Sequence, residues 1–334
     1  MAAAGAVPRT GHASSAPSAP SAPPGRRVDF EWTDAARGRS VPARLYWPDA
    51  QAKPLPLVVF SHGLGGSRRG YRYLGEHWSA NGYASLHVQH VGSDDGLWLG
   101  DPFALVSRLK QAADIREAVN RARDVSFALD RILDRADGPV GAAIDDRRII
   151  AAGHSYGANT VLVLAGAQVR RDGRIVEARD PRIRAGIAIS APAFYGETSL
   201  QPVLGGIRVP MLHVTATGDE IRVPGYGSGV TDRYAVFEAV GTPEKLLAVF
   251  EGGSHSMFTD RPLTGGAQLN PMVKAATAEL SLAFLELVFH ADRRPLSSWT
   301  DTWRSILASP PRLAPTAFAV SPDNRGTGAM KRKS

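Results

Sequence analysis

One serine of the chain lies in a pattern that suits a nucleophile. In the stretch GHSYG, Gly153, Ser155 and Gly157 form a G-x-S-x-G motif. An apolar run that predicts a strand precedes the motif, and the run ANTVLVLAGA that follows it predicts a helix. A serine at the tip of such a tight turn has its hydroxyl raised above the sheet, and the crowded turn needs glycine on both sides. The motif therefore predicts a nucleophilic serine, and its strand and helix argue against a chance glycine-rich turn.

A serine hydroxyl is a weak nucleophile and needs a general base, which an acid must orient. The chain contains nine histidines, and we predict that His255 is the base, because it lies in a Gly-Gly-Ser loop that leaves the last predicted strand. His154 is expected to pack away from the serine. Asp219, the first acidic residue after another strand, is the preferred acid, with its neighbour Glu220 as the alternative. The chain order Ser155, Asp219, His255 is that of the α/β-hydrolases.

A glycine-rich loop, SHGLGG at residues 61–66, follows the apolar run LVVF. Ester hydrolysis passes through a tetrahedral oxyanion, which backbone N–H groups stabilise from about 3 Å. We expect one of these N–H groups to come from Tyr156, the residue after the serine, and the second from Leu64. The glycines of the loop let the main chain approach a substrate. No Gly-Lys-Ser/Thr sequence follows, which excludes a phosphate-binding P-loop.

The rest of the chain alternates between short apolar runs and stretches of helical periodicity. Several runs are apolar throughout, as in strands buried on both faces of a parallel sheet. The predicted strands are 57–62, 83–90, 148–153, 185–191, 209–215 and 244–252, and the clearest helices are 112–133 and 272–290. The first helix has charges opposite an apolar stripe, which consists of Ile115, Val119, Ala122, Val125, Leu129 and Leu133. The alternation predicts a doubly wound, mostly parallel α/β sheet, preceded by an antiparallel hairpin.

We expect one α/β domain at residues 28–310. The segment between the runs 185–191 and 209–215 is under twenty residues long, which leaves no room for a large cap domain. Residues 1–27 are rich in Ala, Pro and Ser and are predicted to be a disordered tail. Residues 311–334 are predicted to be a flexible basic tail.

The composition narrows the function classes. The net charge is +7, but most of the excess lies in the two tails, and no basic patch with interleaved aromatic residues indicates nucleic-acid binding. The absence of cysteine excludes disulfides, thiolate metal sites and a cysteine nucleophile. No apolar run reaches the ~18 residues of a membrane helix, and the first 25 residues lack the features of a secretory signal. A cytoplasmic location is therefore expected.

Four stretches, FSHGLGGSRRGY, GHSYGAN, TATGDE and GGSHSMF, occur in this order along the chain. They resemble the serine α/β-hydrolases grouped with platelet-activating-factor acetylhydrolases and dienelactone-hydrolase-like esterases, and the resemblance covers residues 40–290. It implies the triad Ser155, Asp219 and His255 and the oxyanion-hole donors Leu64 and Tyr156. Dienelactone hydrolases use a cysteine that this chain lacks, so their substrate is not implied. Secreted polyester hydrolases are similar as well, but many carry a disulfide and an export signal.

These features together predict a serine esterase that acts on a small-molecule ester, with short-chain acyl esters expected because no cap covers the cleft. No cofactor, metal or nucleic-acid partner is expected, and the oligomeric state stays open. A metal near His90, Asp94 and Asp95 is less favoured than a solvated loop. The residues expected to contact substrate are His62, Trp98, Phe194, Tyr195 and Tyr226.

Three alternatives stay open at this point. One is a serine peptidase, and another is a lipid or polyester hydrolase on the same triad. Lipid-ester hydrolysis would take place at a membrane surface, helped by the basic tails. The third belongs to another class, a non-catalytic binding module on a hydrolase fold.

Overall fold

A computed structural model describes residues 26–49, 54–134, 139–171, 174–194, 197, 199–223, 226–313 and 318. Residues 1–25 of the predicted N-terminal tail, and most of the predicted C-terminal tail, lie outside the described residues.

A nine-stranded sheet forms the centre of the described part of the chain, in the order β1-β2-β4-β3-β5-β8-β9-β12-β13. The strands are β1 (Arg26–Asp34), β2 (Arg39–Trp47), β3 (Leu55–Ser61), β4 (Ala84–Val88), β5 (Ile144–His154), β6 (Val169–Arg171), β7 (Arg174–Val176), β8 (Ile183–Ile189), β9 (Met211–Ala216), β10 (Ile221–Val223), β11 (Tyr226–Ser228), β12 (Lys245–Phe250) and β13 (Arg312–Leu313). Strands β4, β3, β5, β8, β9 and β12 run parallel. The hairpin β1–β2 and the short strand β13 pair antiparallel at the two edges.

Helices cover both faces of this sheet. They are α1 (Arg72–Ala80), α2 (Leu105–Ala112), α3 (Ile115–Leu133), α4 (Pro139–Ala142), α5 (Tyr156–Ala165), α6 (Gln201–Leu204), α7 (Val230–Ala239), α8 (Leu269–His290) and α9 (Arg294–Trp303). Side chains alternate across a strand, so Leu57 and Val59 of β3 belong to the core with α3 and α5. Val58 and Phe60 belong to the opposite core with α1, α8 and α9. This alternation explains why β3 is apolar at every position between its ends.

The predicted fold class is confirmed, with differences at the edges. The sheet extends beyond the predicted boundaries 28 and 310, because β1 begins at Arg26 and Arg312–Leu313 pairs with β12. The helix predicted over 112–133 begins at Ile115, because the Asp114 carboxylate accepts the Glu117 N–H at 2.8 Å and caps the helix there, and Ala112 ends the separate helix α2. Among the described residues, the connection from β8 to β9 holds only the short helix α6.

Helix α3 differs from its prediction in one further respect. Charged residues were expected opposite its apolar stripe, but three of them, Glu117, Arg121 and Asp124, are buried, with Arg121 and Asp124 at 0% exposure. They are buried because each finds polar partners beneath the loops that follow β3 and β4. In the described part of the chain, no helix is long and apolar enough to cross a membrane.

Candidate active site

Ser155 lies at the tip of the turn between β5 and α5, and it is 9% exposed. Its φ of 56° lies in the left-handed region that L-residues rarely adopt. The turn is tight: a Cβ on Gly157 would lie 1.9 Å from the Ser61 oxygen, and one on Gly153 would lie 2.3 Å from the Gly157 oxygen. Glycine is therefore required at both positions for packing, which is the physical basis of the motif read in the sequence.

The structure brings the three predicted triad side chains together. Ser155 follows β5, Asp219 follows β9, and His255 follows β12, so all three lie at the carboxyl edge of the parallel strands. The Ser155 Oγ lies 2.8 Å from His255 Nε2, and His255 Nδ1 lies 2.7 Å from Asp219 Oδ1. A carboxylate can only accept, so Nδ1 carries the proton and donates it to Asp219. Nε2 is then free to accept the serine proton.

The environment of Asp219 keeps its carboxylate charged. Asp219 is completely buried, and burial alone would raise its pKa. The hydrogen bond from His255 and the charge of Arg233, 3.2 Å from Oδ1, outweigh burial and hold the pKa of Asp219 well below its usual value. Thr215 also donates to Oδ2 at 2.7 Å. The alternative acid, Glu220, is an exposed side chain that pairs with Arg222.

A directed chain of hydrogen bonds joins His255 to the glycine-rich loop at residues 61–66. The His255 carbonyl, which can only accept, lies 3.1 Å from His154 Nε2, so that nitrogen carries the proton. His154 Nδ1 then accepts from the Tyr71 hydroxyl at 2.8 Å, and the Tyr71 oxygen accepts from the Gly63 N–H at 3.3 Å. Burial and the nearby His255 hold the pKa of His154 well below its usual value, so it stays neutral. His154 was expected to pack away from Ser155; its ring packs against that of His255, with ring centroids 4.7 Å apart.

The loop after β3 is held in a fixed conformation. The Gly65 N–H donates to the Ser93 carbonyl at 2.9 Å, and the Trp98 indole N–H donates to the Gly65 carbonyl at 2.8 Å. Gly65 has a φ of 72°, and a Cβ there would lie 2.4 Å from the Trp98 ring. Within the described residues, no group accepts from the backbone N–H of Leu64 or of Tyr156. These two N–H groups are therefore available to an incoming oxygen.

Of the residues predicted to contact substrate, His62 and Phe194 are buried, and Tyr226 uses its hydroxyl within the protein. His62 is buried behind the loop: its Nδ1–H donates to the Gly63 carbonyl at 2.7 Å, and its Nε2 accepts the His90 N–H at 3.1 Å. No ring nitrogen of His62 is left for a substrate. Phe194 is buried in the core with α3 and α5, and the Tyr226 hydroxyl donates to the Ala193 carbonyl at 3.2 Å.

Trp98 and Tyr195 are the remaining residues that were predicted to contact substrate. Trp98 is half exposed, so one face of its ring reaches solvent beside the loop. Tyr195 lies outside the described residues. In the parts of the chain that the structure covers, no group of three or more His, Asp or Glu side chains could hold a metal ion.

Several residues at this site were missed from the sequence. Arg233 and Arg121 are charged residues on helices, and a charge on a helix usually indicates a solvated face. Tyr71 is the residue before α1 and carried no motif of its own. Only His154 carried a signal, because it is the second residue of the G-x-S-x-G motif and directly precedes Ser155.

Comparisons with known proteins show which proteins the chain resembles. The family model for platelet-activating factor acetylhydrolase, isoform II, matches residues 40–95. The platelet-activating factor acetylhydrolase of Cavia porcellus is 24% identical over 309 residues, covering 80% of this chain and 64% of that protein. The chain thus spans less than two thirds of the length of that relative.

A solved structure supports the same fold. The ferulic acid esterase from Streptomyces cinnamoneus has a TM-score of 0.59 and 22% sequence identity, covering 84% of this chain and 94% of the esterase. The predicted resemblance to esterases of the α/β-hydrolase superfamily is confirmed.

Proposed function

We propose that this α/β-hydrolase-fold chain, similar in sequence to a platelet-activating factor acetylhydrolase, is a serine hydrolase of carboxylic esters. The observation that carries the proposal is the hydrogen-bonded chain from Ser155 through His255 to Asp219, with distances of 2.8 and 2.7 Å. A weakly nucleophilic hydroxyl, an oriented imidazole and a buried carboxylate are the components of acyl-transfer catalysis.

In the proposed mechanism, His255 Nε2 accepts the Ser155 proton as Oγ bonds to the ester carbonyl carbon. The carbonyl π electrons move to the oxygen and form a tetrahedral oxyanion. His255 then gives its proton to the leaving alcohol, the bond to the alcohol breaks, and an acyl-enzyme remains. A water molecule, deprotonated by His255, then bonds to the acyl carbon. The bond between that carbon and Ser155 Oγ breaks, Oγ takes the proton from His255, and the acid is released.

The charges around His255 suit these steps. Asp219 stays ionised because its pKa is held low by His255 and Arg233 against the effect of burial, so it stabilises the imidazolium that forms. His154 stays neutral against the His255 ring, because burial lowers its pKa. A second positive charge beside the imidazolium is thereby avoided.

The N–H groups of Leu64 and Tyr156 are proposed as the oxyanion-hole donors. Neither has an acceptor among the described residues. Tyr156 directly follows Ser155, and Leu64 lies in the loop after β3, the strand that pairs with β5. Such preorganised N–H groups, with no reorganisation needed during the reaction, supply the largest single stabilisation in many acyl-transfer enzymes.

Short-chain acyl esters are the proposed substrate class. The short β8–β9 connection supports this, because its described residues offer only the four-residue helix α6 to cover the carboxyl edge of the sheet. The similarity to an acetylhydrolase is consistent with a small acyl group.

The test is a series of p-nitrophenyl esters, from acetate through butyrate and octanoate to palmitate, with wild type and Ser155→Ala. We expect the highest kcat/KM for the shortest acyl groups and a loss of at least about a thousandfold in the variant. Full turnover by Ser155→Ala would contradict the mechanism. Preference for palmitate would contradict the substrate class, and cleavage of acyl p-nitroanilides in preference to esters would favour a peptidase.

A further inference from the structure

A buried cation lies behind both sides of the proposed oxyanion hole. Arg121 of α3 has 0% exposure. Its guanidinium donates to the His62 carbonyl and, at 3.1 Å, to the Ser61 hydroxyl, both in the segment that leads into Leu64. It also donates to the Ser93 hydroxyl at 2.8 Å. Ser93 is the residue whose carbonyl holds the Gly65 N–H of the oxyanion loop.

The same guanidinium contacts the other side of the hole. Its central carbon lies 4.6 Å from the centre of the Tyr156 ring, and its Nε–H donates to the Thr160 hydroxyl at 3.1 Å. Tyr156 and Thr160 belong to the first turns of α5, which begins directly after Ser155. Arg121 thereby connects the loop that presents the Leu64 N–H to the helix end that presents the Tyr156 N–H.

The Arg121 charge has no directly bound counterion. No carboxylate oxygen of the described residues lies within 4.0 Å of its guanidinium. The two acidic residues nearest in the helix, Glu117 and Asp124, bind Arg39 instead, at 2.7 and 2.8 Å. Glu117 reaches Arg121 only through the Ser93 hydroxyl. Burial lowers the pKa of Arg121 to about 10, which still leaves it protonated at neutral pH.

We propose that Arg121 is a positioning residue of the oxyanion hole. Its guanidinium holds the Leu64 and Tyr156 N–H groups in place, and its unpaired charge stabilises the oxyanion through these groups. The inference rests on the proposed ester-hydrolase function. Burying a charge without a partner is unfavourable in the resting protein. The same charge becomes favourable when a negative oxygen forms close by in a site of low dielectric constant. Arg121 therefore acts mainly on the transition state, and substrate binding depends on it little.

The experiment combines ester kinetics with a trifluoromethyl ketone. The Ser155 Oγ bonds to the ketone carbon, the serine proton passes to His255, and the carbonyl π electrons form a hemiketal oxyanion. Fluorine NMR of the trifluoromethyl group then follows the protonation of that oxygen as the pH is lowered. A residue with a purely structural role would change stability but would leave the midpoint of this titration unchanged.

Arg121→Gln is the main variant and Arg182→Gln is the matched control. Arg182 binds the buried Asp180 at 2.6 Å and the Ser126 carbonyl at 3.0 Å. The Asp180 N–H donates to the Leu164 carbonyl, at the end of α5 remote from Ser155. The control variant thus loses a guanidinium with buried partners at a distance from the oxyanion hole.

For Arg121→Gln we expect kcat to fall about tenfold or more while KM stays within about threefold. The hemiketal midpoint should rise by about one pH unit, and Arg121→Lys should recover part of that rise because it restores the charge. Arg182→Gln should lower the thermal midpoint and leave the hemiketal midpoint unchanged. An Arg121→Gln protein with wild-type kcat and a wild-type hemiketal midpoint would overturn the inference.

A second variant applies if Arg121→Gln does not fold. Tyr156→Leu removes the ring on which the guanidinium packs and keeps the backbone N–H. A rise in its hemiketal midpoint supports the inference, and an unchanged midpoint overturns it.

Failure of the proposed function has a different signature: a wild-type protein without Ser155-dependent ester turnover. In that case both proposals fall, whereas an active wild type with unaffected variants removes only the role of Arg121.

Discussion

At the scale of single residues, the site depends on which atom carries each proton. The Asp219 carboxylate and the His255 carbonyl can only accept, so they fix the tautomers of His255 and His154. His154 in turn orients the Tyr71 hydroxyl toward itself and leaves the Tyr71 oxygen to accept from Gly63. The proposed general base and the loop of the proposed oxyanion hole are thereby linked through the side chains of His154 and Tyr71.

Tyr71→Phe tests this link. The change leaves the Gly63 N–H without its acceptor and removes the hydroxyl that donates to His154 Nδ1. A hydrogen bond of this kind contributes about 1 kcal/mol, so we expect kcat to fall roughly fivefold. The control is Tyr83→Phe, at a buried tyrosine near the start of β4 that takes no part in this chain. Equal kcat values for the two variants would show that the link has no catalytic effect.

The three triad residues could be predicted from the sequence, but the two buried arginines of the site could not. Ser155 stood in a motif whose glycines have a steric cause, and His255 and Asp219 followed from the chain order of the fold. Arg121 and Arg233 carried no such signal. Their burial depends on partners from other elements, such as the His62 carbonyl and Asp219, which a single sequence does not reveal.

At the scale of elements, the turn from β5 to α5 is the most constrained segment of the site. Its glycines lie against the backbone of β3 and of the turn itself, so the Ser155 conformation is fixed by close packing. The strands around it were predictable from the apolar runs that β3, β5 and β8 contain. The hairpins β6–β7 and β10–β11 were not, because each strand has only three residues and no apolar run.

Gly157→Ala tests the packing of this turn. The added Cβ would lie 1.9 Å from the Ser61 backbone oxygen, so β3 and α5 would have to move apart. We expect a loss of about 2 kcal/mol or more in the free energy of unfolding, measured with urea, together with loss of ester turnover.

The matched control is Gly227→Ala. Its added Cβ would meet only the Ile221 oxygen, at 3.9 Å, so both stability and turnover should stay near the wild-type values. A Gly157→Ala protein as stable and active as this control would show that the turn is not as tightly packed as described.

At the scale of the whole molecule, the parallel sheet assembles the site from distant parts of the chain. Leu64, Ser155, Asp219 and His255 each follow a different strand, and parallel strands bring their carboxyl ends to one edge. The sequence predicted this common edge, since it predicted the strands and their direction. The order of strands across the sheet, and the network beneath the loops, required the structure.

Acid stability is a whole-molecule property that Asp219 influences. Its pKa is held below the usual value in the folded protein, mainly by His255 and Arg233 acting against burial. A carboxyl of lowered pKa contributes stability above its unfolded pKa of about 3.9, and this contribution is lost as the pH falls through the folded pKa.

We therefore expect the difference in unfolding free energy between wild type and Asp219→Asn to be largest near neutral pH and to shrink below about pH 4. Urea unfolding at a series of pH values measures it. A difference that stays constant down to pH 2 would contradict the charge environment described for Asp219.

The most direct measurement for the central claim is covalent labelling with a fluorophosphonate, followed by mass spectrometry of the digested protein. We predict one labelled residue, Ser155, in the wild type and no labelling in Ser155→Ala. In His255→Gln, labelling should be slower by about a hundredfold or more, because the serine then lacks its base. Labelling at another residue, or at an equal rate without His255, would contradict the central claim.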